Sequence, residues 1–250
     1  MNSVVIVKNL TKEFDGIRAV DRINFEAKEG EIFGLLGPNG AGKTTAIRTI
    51  ATVLSPTDGT AKVCGFDILK NPERVRENIG VLTTDIGFYE RFSGRENLKY
   101  FGQLYEISDQ ALDTRIEELS KILEMNDFIN RKAGKYSTGM KQKLAIARSV
   151  IHDPKVIIFD EPTSGLDVLA SQTVLNFMRK ARELNKCVIL STHQMPDAEK
   201  LCDRVAIIHR GKLVADTTIE AFKKRTNTSS LEDAFLKIIK ERHLNGKFYA

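Results

Sequence analysis

The chain has 250 residues, 42% of them hydrophobic and 28% charged, with a formal net charge of +5. That is enough chain and apolar content for a substantial core, and these ordinary globular values exclude a disordered class for all but the ends. Basic residues are interspersed with acidic ones, without a Lys/Arg block or an aromatic–basic interleave, so no nucleic-acid partner is expected. In chain order, residues 4–7, 32–36, 79–82, 156–159, 188–190 and 205–208 read as strands. Several are unbroken apolar runs, the mark of a sheet buried on both faces. Helical patterns occupy 43–54, 95–105, 108–123, 138–152 and 169–184. Strands near both ends with a helical stretch between them predict an α/β core that carries a helical insert. The last pattern, 231–244, puts Leu231, Phe235, Ile238 and Ile239 on one helical face, a stripe expected to pack on the core.

The first chemical signal is Gly37-Pro38-Asn39-Gly40-Ala41-Gly42-Lys43-Thr44, a G-x-x-x-x-G-K-[ST] loop between a strand and a helix. Glycines let backbone N–H groups close around phosphate oxygens, and the helix N-terminus adds positive potential. Lys43 reaches the terminal phosphates and the Thr44 hydroxyl suits Mg²⁺. The second signal is the apolar strand 156–159 that ends in Asp160-Glu161. Asp160 suits the magnesium shell, and Glu161 suits a general base on the attacking water. An Asp-Glu pair after a strand means little alone; beside a phosphate loop it reads as the metal-and-water half of the same site.

From Leu10 to about Asp216 the chain resembles an ABC (ATP-binding cassette) ATPase domain. Ser137-Thr138-Gly139-Met140 occupies the place of the family signature L-S-G-G-Q: Ser137 and Gly139 match it, Thr138 and Met140 depart from it. Ser164-Gly165-Leu166-Asp167 resembles the loop that runs along the family's dimer seam. His193, in Ser191-Thr192-His193, resembles its switch histidine, and Phe14 its adenine-stacking aromatic. The resemblance implies a P-loop NTPase core with a mostly parallel sheet and a small antiparallel N-terminal β-subdomain. It divides the chain into an ATPase domain over 1–220, with a helical insert over about 86–154, and a C-terminal helical extension over 221–250. ATP and Mg²⁺ are the implied ligands. Residues 37–45, Thr45 included, would hold ATP in one copy, and Ser137 and Gly139 would cap it from another. Glu161, His193 and Lys43 would be catalytic, with Thr44 and Asp160 at the metal.

The family's usual glutamine falls here on Thr84, which leaves the Mg²⁺ contact to a shorter side chain, and Thr84 and Asp85 are expected in the loop toward a membrane partner. That feature, the signature and the tail Leu231-Glu232-Asp233-Ala234-Phe235-Leu236 resemble single-domain ATPase subunits of bacterial and archaeal ABC-2-type exporters, of sodium-efflux or multidrug type. The implied partners are transmembrane permease subunits and a second ATPase copy, identical or not. No stretch reaches the roughly 20 apolar residues that span a bilayer and no apolar signal segment opens the chain, so peripheral attachment at the cytoplasmic face is expected. Cys64, Cys187 and Cys202 form no C-x-x-C and read as reduced thiols. The rival readings are a soluble ABC ATPase of translation or DNA repair, a P-loop kinase, and a module without activity. The first usually carries two ATPase domains or a very long insertion, the second leaves Ser137, Asp167 and His193 as coincidences, and the third leaves Lys43, Thr44, Asp160, Glu161 and His193 without a use.

Overall fold

The computed structural model of the protein describes residues 2–83 and 87–244. Strands β1 (Ser3–Phe14) and β2 (Ile17–Lys28) pair antiparallel, with Phe14 opposite Ile17. The turn between them is Asp15-Gly16, both at positive φ, the pair a two-residue hairpin turn favours. These two strands join β4 (Asp58–Val63) and β5 (Phe66–Asp67) in a four-stranded antiparallel sheet ordered β2-β1-β4-β5. β2 and β4 are alternating, half-buried strands, which run-length reading of the sequence passes over.

The second sheet runs β10-β9-β3-β8-β7-β6. Its members β3 (Ile32–Leu36), β6 (Ile79–Leu82), β7 (Val156–Asp160), β8 (Cys187–Thr192) and β9 (Arg204–His209) are parallel; β10 (Lys212–Thr218) closes one edge antiparallel. β3, β7 and β8 are buried at every residue. Their side chains alternate between two cores. Ile32, Leu36, Ile157, Phe159 and Val188 face one way, and Phe33, Leu35, Val156, Ile158 and Ile189 the other. Helix α1 (Lys43–Ile50) lies in the second core, against β1, β2, β4 and β7. Helices α6 (Val168–Glu183) and α7 (Met195–Leu201) cover the opposite face. Covering both faces is what the unbroken apolar strands require.

α2 (Pro72–Asn78) leads into β6. Between β6 and β7 stand α3 (Gly94–Gln103), α4 (Asp109–Ile122) and α5 (Thr138–Ser149). Each starts on a serine that accepts a backbone N–H: Ser93 from Glu96, Ser108 from Ala111, Ser137 from Met140. Ser93 and Glu96 complete a capping box. At the C-terminal side, α8 (Ile219–Thr226) ends on Asn227 in the left-handed region, and α9 (Leu231–Leu244) packs on α7 and α8. Leu231 and Ala234 of α9 are fully buried, with Phe235 and Ile238 against the same core, so the apolar stripe packs on this chain as expected. Among the described residues no helix is long and apolar enough to cross a membrane.

Candidate functional site

The loop Gly37–Gly42 joins β3 to α1 and is shaped by contacts that exclude side chains. A Cβ on Gly37 would stand 2.3 Å from the Ile208 carbonyl oxygen, and one on Gly42 2.2 Å from that of Ala19. Gly42 also has φ 107 and heads α1 without a side-chain cap. The first N–H groups of α1 are therefore available to an anion at the loop. Gly211 N–H donates to the Ala41 carbonyl at 2.9 Å, so the β9–β10 turn braces the loop from outside. Lys43 is buried, and its Nζ donates to the carbonyls of Gly37 at 2.7 Å and Pro38 at 3.2 Å. That ammonium also lies 3.5 Å from Glu161 Oε1.

The carboxylates sit at the C-terminal end of β7. Thr44 Oγ1 donates to Asp160 Oδ2 at 2.7 Å, and Ser191 Oγ to Asp160 Oδ1 at 2.5 Å. Glu161 has φ 52, a left-handed backbone held by its N–H bond to the Ser191 carbonyl at 2.9 Å. His193 Nδ1 lies 2.9 Å from Glu161 Oε1, and Thr192 Oγ1 lies 3.4 Å from Oε2. Lys43, Thr44, Asp160, Glu161 and His193, far apart in the chain, thus meet at the ends of three neighbouring strands. Open α/β sheets bind ligands in this position, beyond the carboxyl ends of their strands. Thr44 and Asp160 offer hard oxygen donors side by side, a set that fits Mg²⁺ completed by phosphate and water.

The other candidate residues stand apart from that cluster. Ser137 is the N-cap of α5, a helix packed on α3, α4, α6 and β6. Gly139 faces α6, where an added Cβ would come within 3.0 Å of Ala170 Cβ. Gln142 of α5 donates to the Pro162 carbonyl at 2.7 Å, which ties the helix to the segment after Glu161. Asp167 caps α6 by accepting from Ala170 N–H at 2.8 Å. Phe14 closes β1 with its ring 43% exposed and Lys12 Nζ 4.9 Å from the ring centre, on the hairpin whose Ala19 touches the loop. Thr84 and Asp85 lie outside the described residues. Sequence reading named Ser191 and Thr192 only as neighbours of His193; their hydroxyls join the site because β8 lies next to β7.

A groove of about 550 Å³ opens between α3, α5 and the β6 edge, lined by Val53, Phe101, Leu104, Tyr105 and Arg148. Val53 and Leu104 are 67% and 65% exposed. The Arg148 guanidinium lies 3.5 Å from the Phe101 ring centre and donates to the Gly87 carbonyl at 2.7 Å. His152 stacks on Tyr105 with centroids 4.0 Å apart, and its Nε2 meets the Ile79 carbonyl at 3.0 Å. Burial pushes the His152 pKa below its ordinary value and that of Tyr105 up.

Residues 20–164 match the family described as "ABC transporter". ATP-binding protein NatA of Bacillus subtilis is 41% identical over 221 residues, 88% of this chain and 90% of NatA. Nod factor export ATP-binding protein I of Burkholderia lata is 34% identical over 209 residues, 84% of this chain and 69% of that protein. A solved structure described as the dimeric, post-hydrolysis state of an ATP-binding cassette bound to ADP and Pi is similar at a TM-score of 0.77. It is 25% identical, covering 86% of this chain and 98% of that one.

Proposed function

The chain belongs to the ABC transporter family as an ATP-binding subunit, and on that premise we propose that two copies hydrolyse ATP at their shared seam to drive export through a permease. The observation that carries the reading is the meeting of Lys43, Thr44, Asp160, Glu161 and His193 around one glycine loop. Residues 37–45 surround the phosphates with backbone N–H groups and the Lys43 ammonium. Phe14 lies against the adenine. Ser137 and Gly139 of the second copy close over the γ-phosphate from the head of α5, where a serine hydroxyl and the first helix N–H groups suit an anion.

Glu161 takes a proton from the water that attacks the γ-phosphorus, and His193, bonded to Glu161, holds water and phosphate in line. Magnesium, when held by Thr44 and Asp160, offsets phosphate charge and polarises the phosphoryl oxygens. ATP joins the two copies through fixed donors, and its cleavage loosens the seam, a two-state element that a partner can follow. The groove beside α3 suits a permease segment, because it exposes aromatic and aliphatic side chains beside Thr83 and Gly87. On this reading the subunit sits peripherally, at the cytoplasmic face of a membrane. Export is supported by the similarity to Nod factor export ATP-binding protein I and by the exporter-like signature and tail. The soluble translation or repair reading has no such support.

The test is Glu161→Gln. Without its base the variant loses turnover by about 10²–10⁴-fold, and with ATP it elutes from size-exclusion chromatography as a dimer. A variant that stays monomeric in ATP contradicts the shared-seam reading.

A further inference from the structure

Ser191, the residue before the last of β8, is fully buried and lies opposite Asp160 across the β7–β8 pair. Its hydroxyl donates to Asp160 Oδ1 at 2.5 Å, while Thr44 donates to Oδ2 at 2.7 Å. The terminal torsion of an aspartate is otherwise broad, so a carboxylate held at both oxygens loses a freedom it would normally have. The carbonyl of the same Ser191 accepts the Glu161 N–H at 2.9 Å and supports that residue's left-handed backbone. One residue therefore meets both carboxylates, by its side chain at Asp160 and by its backbone at Glu161.

We propose that Ser191 is a positioning residue for the metal half of the site: its hydroxyl sets the plane of the Asp160 carboxylate so that Oδ2, beside Thr44, faces the cation. The inference rests on the ATPase reading above. Partners that orient a metal-binding carboxylate matter nearly as much as the ligands, because a carboxylate free to turn presents the wrong oxygen for part of the time. Asp160 is only 3% exposed, so water does not readily replace the missing donor. A hydroxyl that served only to satisfy a buried carboxylate would change stability alone. A positioning hydroxyl changes metal affinity while nucleotide binding without metal stays constant.

Ser191→Ala separates the two roles, since it removes the hydroxyl and keeps the carbonyl bond to Glu161. Calorimetric binding of a non-hydrolysable ATP analogue to the full chain is measured across a Mg²⁺ titration and again in EDTA. Ser191→Ala is expected to need about 10- to 100-fold more Mg²⁺ than wild type, with binding in EDTA unchanged. Ser191→Thr, which keeps the hydroxyl, should restore the wild-type requirement. Ser191→Cys, a weaker donor, should fall between them and keeps the question answerable if alanine unfolds the chain. An unshifted Mg²⁺ requirement in the alanine or cysteine variant, or an equal loss of binding in EDTA, overturns the inference. A wild-type chain indifferent to Mg²⁺ overturns instead the ATPase reading beneath it.

Discussion

The end of the central sheet and the groove beside α3 are built on opposite principles. At the sheet end the polar groups are already paired: buried Lys43 with two carbonyls, buried Asp160 with two hydroxyls, half-buried Glu161 with His193. In the groove apolar side chains such as Val53 and Leu104 stand in solvent beside Phe101 and Arg148, and behind Tyr105 the buried His152 Nδ1 has no hydrogen-bond partner among the described residues. The first region holds its charges in place before any ligand arrives, as electrostatic stabilisation of a phosphoryl group requires. The second leaves apolar area exposed, the feature on which the proposed permease contact rests. The two regions are separated in space, with Arg148 bonded to Gly87 at the groove and Gln142 to Pro162 beside the site.

The largest effect should come from breaking the paired side of that contrast. Lys43→Ala removes the cation from the loop and should lower ATP turnover by about 10²–10³-fold, measured as phosphate release, while circular dichroism reports an intact fold. Turnover near wild type would mean that the loop backbone alone carries the phosphates.

A smaller effect sharpens the groove side. Burial holds the His152 pKa down, helped by Arg115 and Lys186 and opposed by the Ile79 carbonyl and Asp153. The folded chain therefore takes up this proton at lower pH than the unfolded chain does. The resulting stability is fully present above the unfolded value of 6.5 and is lost as pH falls below it. Urea unfolding between pH 7.5 and 5.5 should show a slope of at most about 1.4 kcal/mol per pH unit from this group. His152→Gln should flatten that slope. An equal slope in both proteins would remove His152 as its source.

The smallest effect on the isolated chain is expected at Leu104. Its 65% exposure leaves little packing to lose, so Leu104→Ser should change stability by less than about 0.5 kcal/mol and leave basal turnover alone. Co-purification with the permease from solubilised membranes should fall. Undiminished association would show that the groove is not the contact surface.

Much of the paired region was legible in the chain itself. The loop 37–44 carries its mechanism in its spacing, and the runs at 32–36 and 156–159 are buried throughout because a parallel sheet is covered on both faces. The roles of Ser137, His193 and Phe14 came from resemblance, since a lone serine, histidine or phenylalanine has no spacing that declares its use. β2 and β4 escaped run-length reading because their apolar residues alternate with exposed ones.

By itself the sequence determined which local structures form, since capping serines, glycine turns and apolar periodicity act over a few residues. It also determined which chemistry the loop and the Asp-Glu pair can support. Only the tertiary structure decided that Ser191 grips Asp160, that Ala19 and Gly211 brace the glycine loop, and that Phe101 of α3 shares a groove with Val53. Those contacts join segments dozens of residues apart. Strand order and helix packing bring them together, and no local pattern encodes which strand becomes whose neighbour.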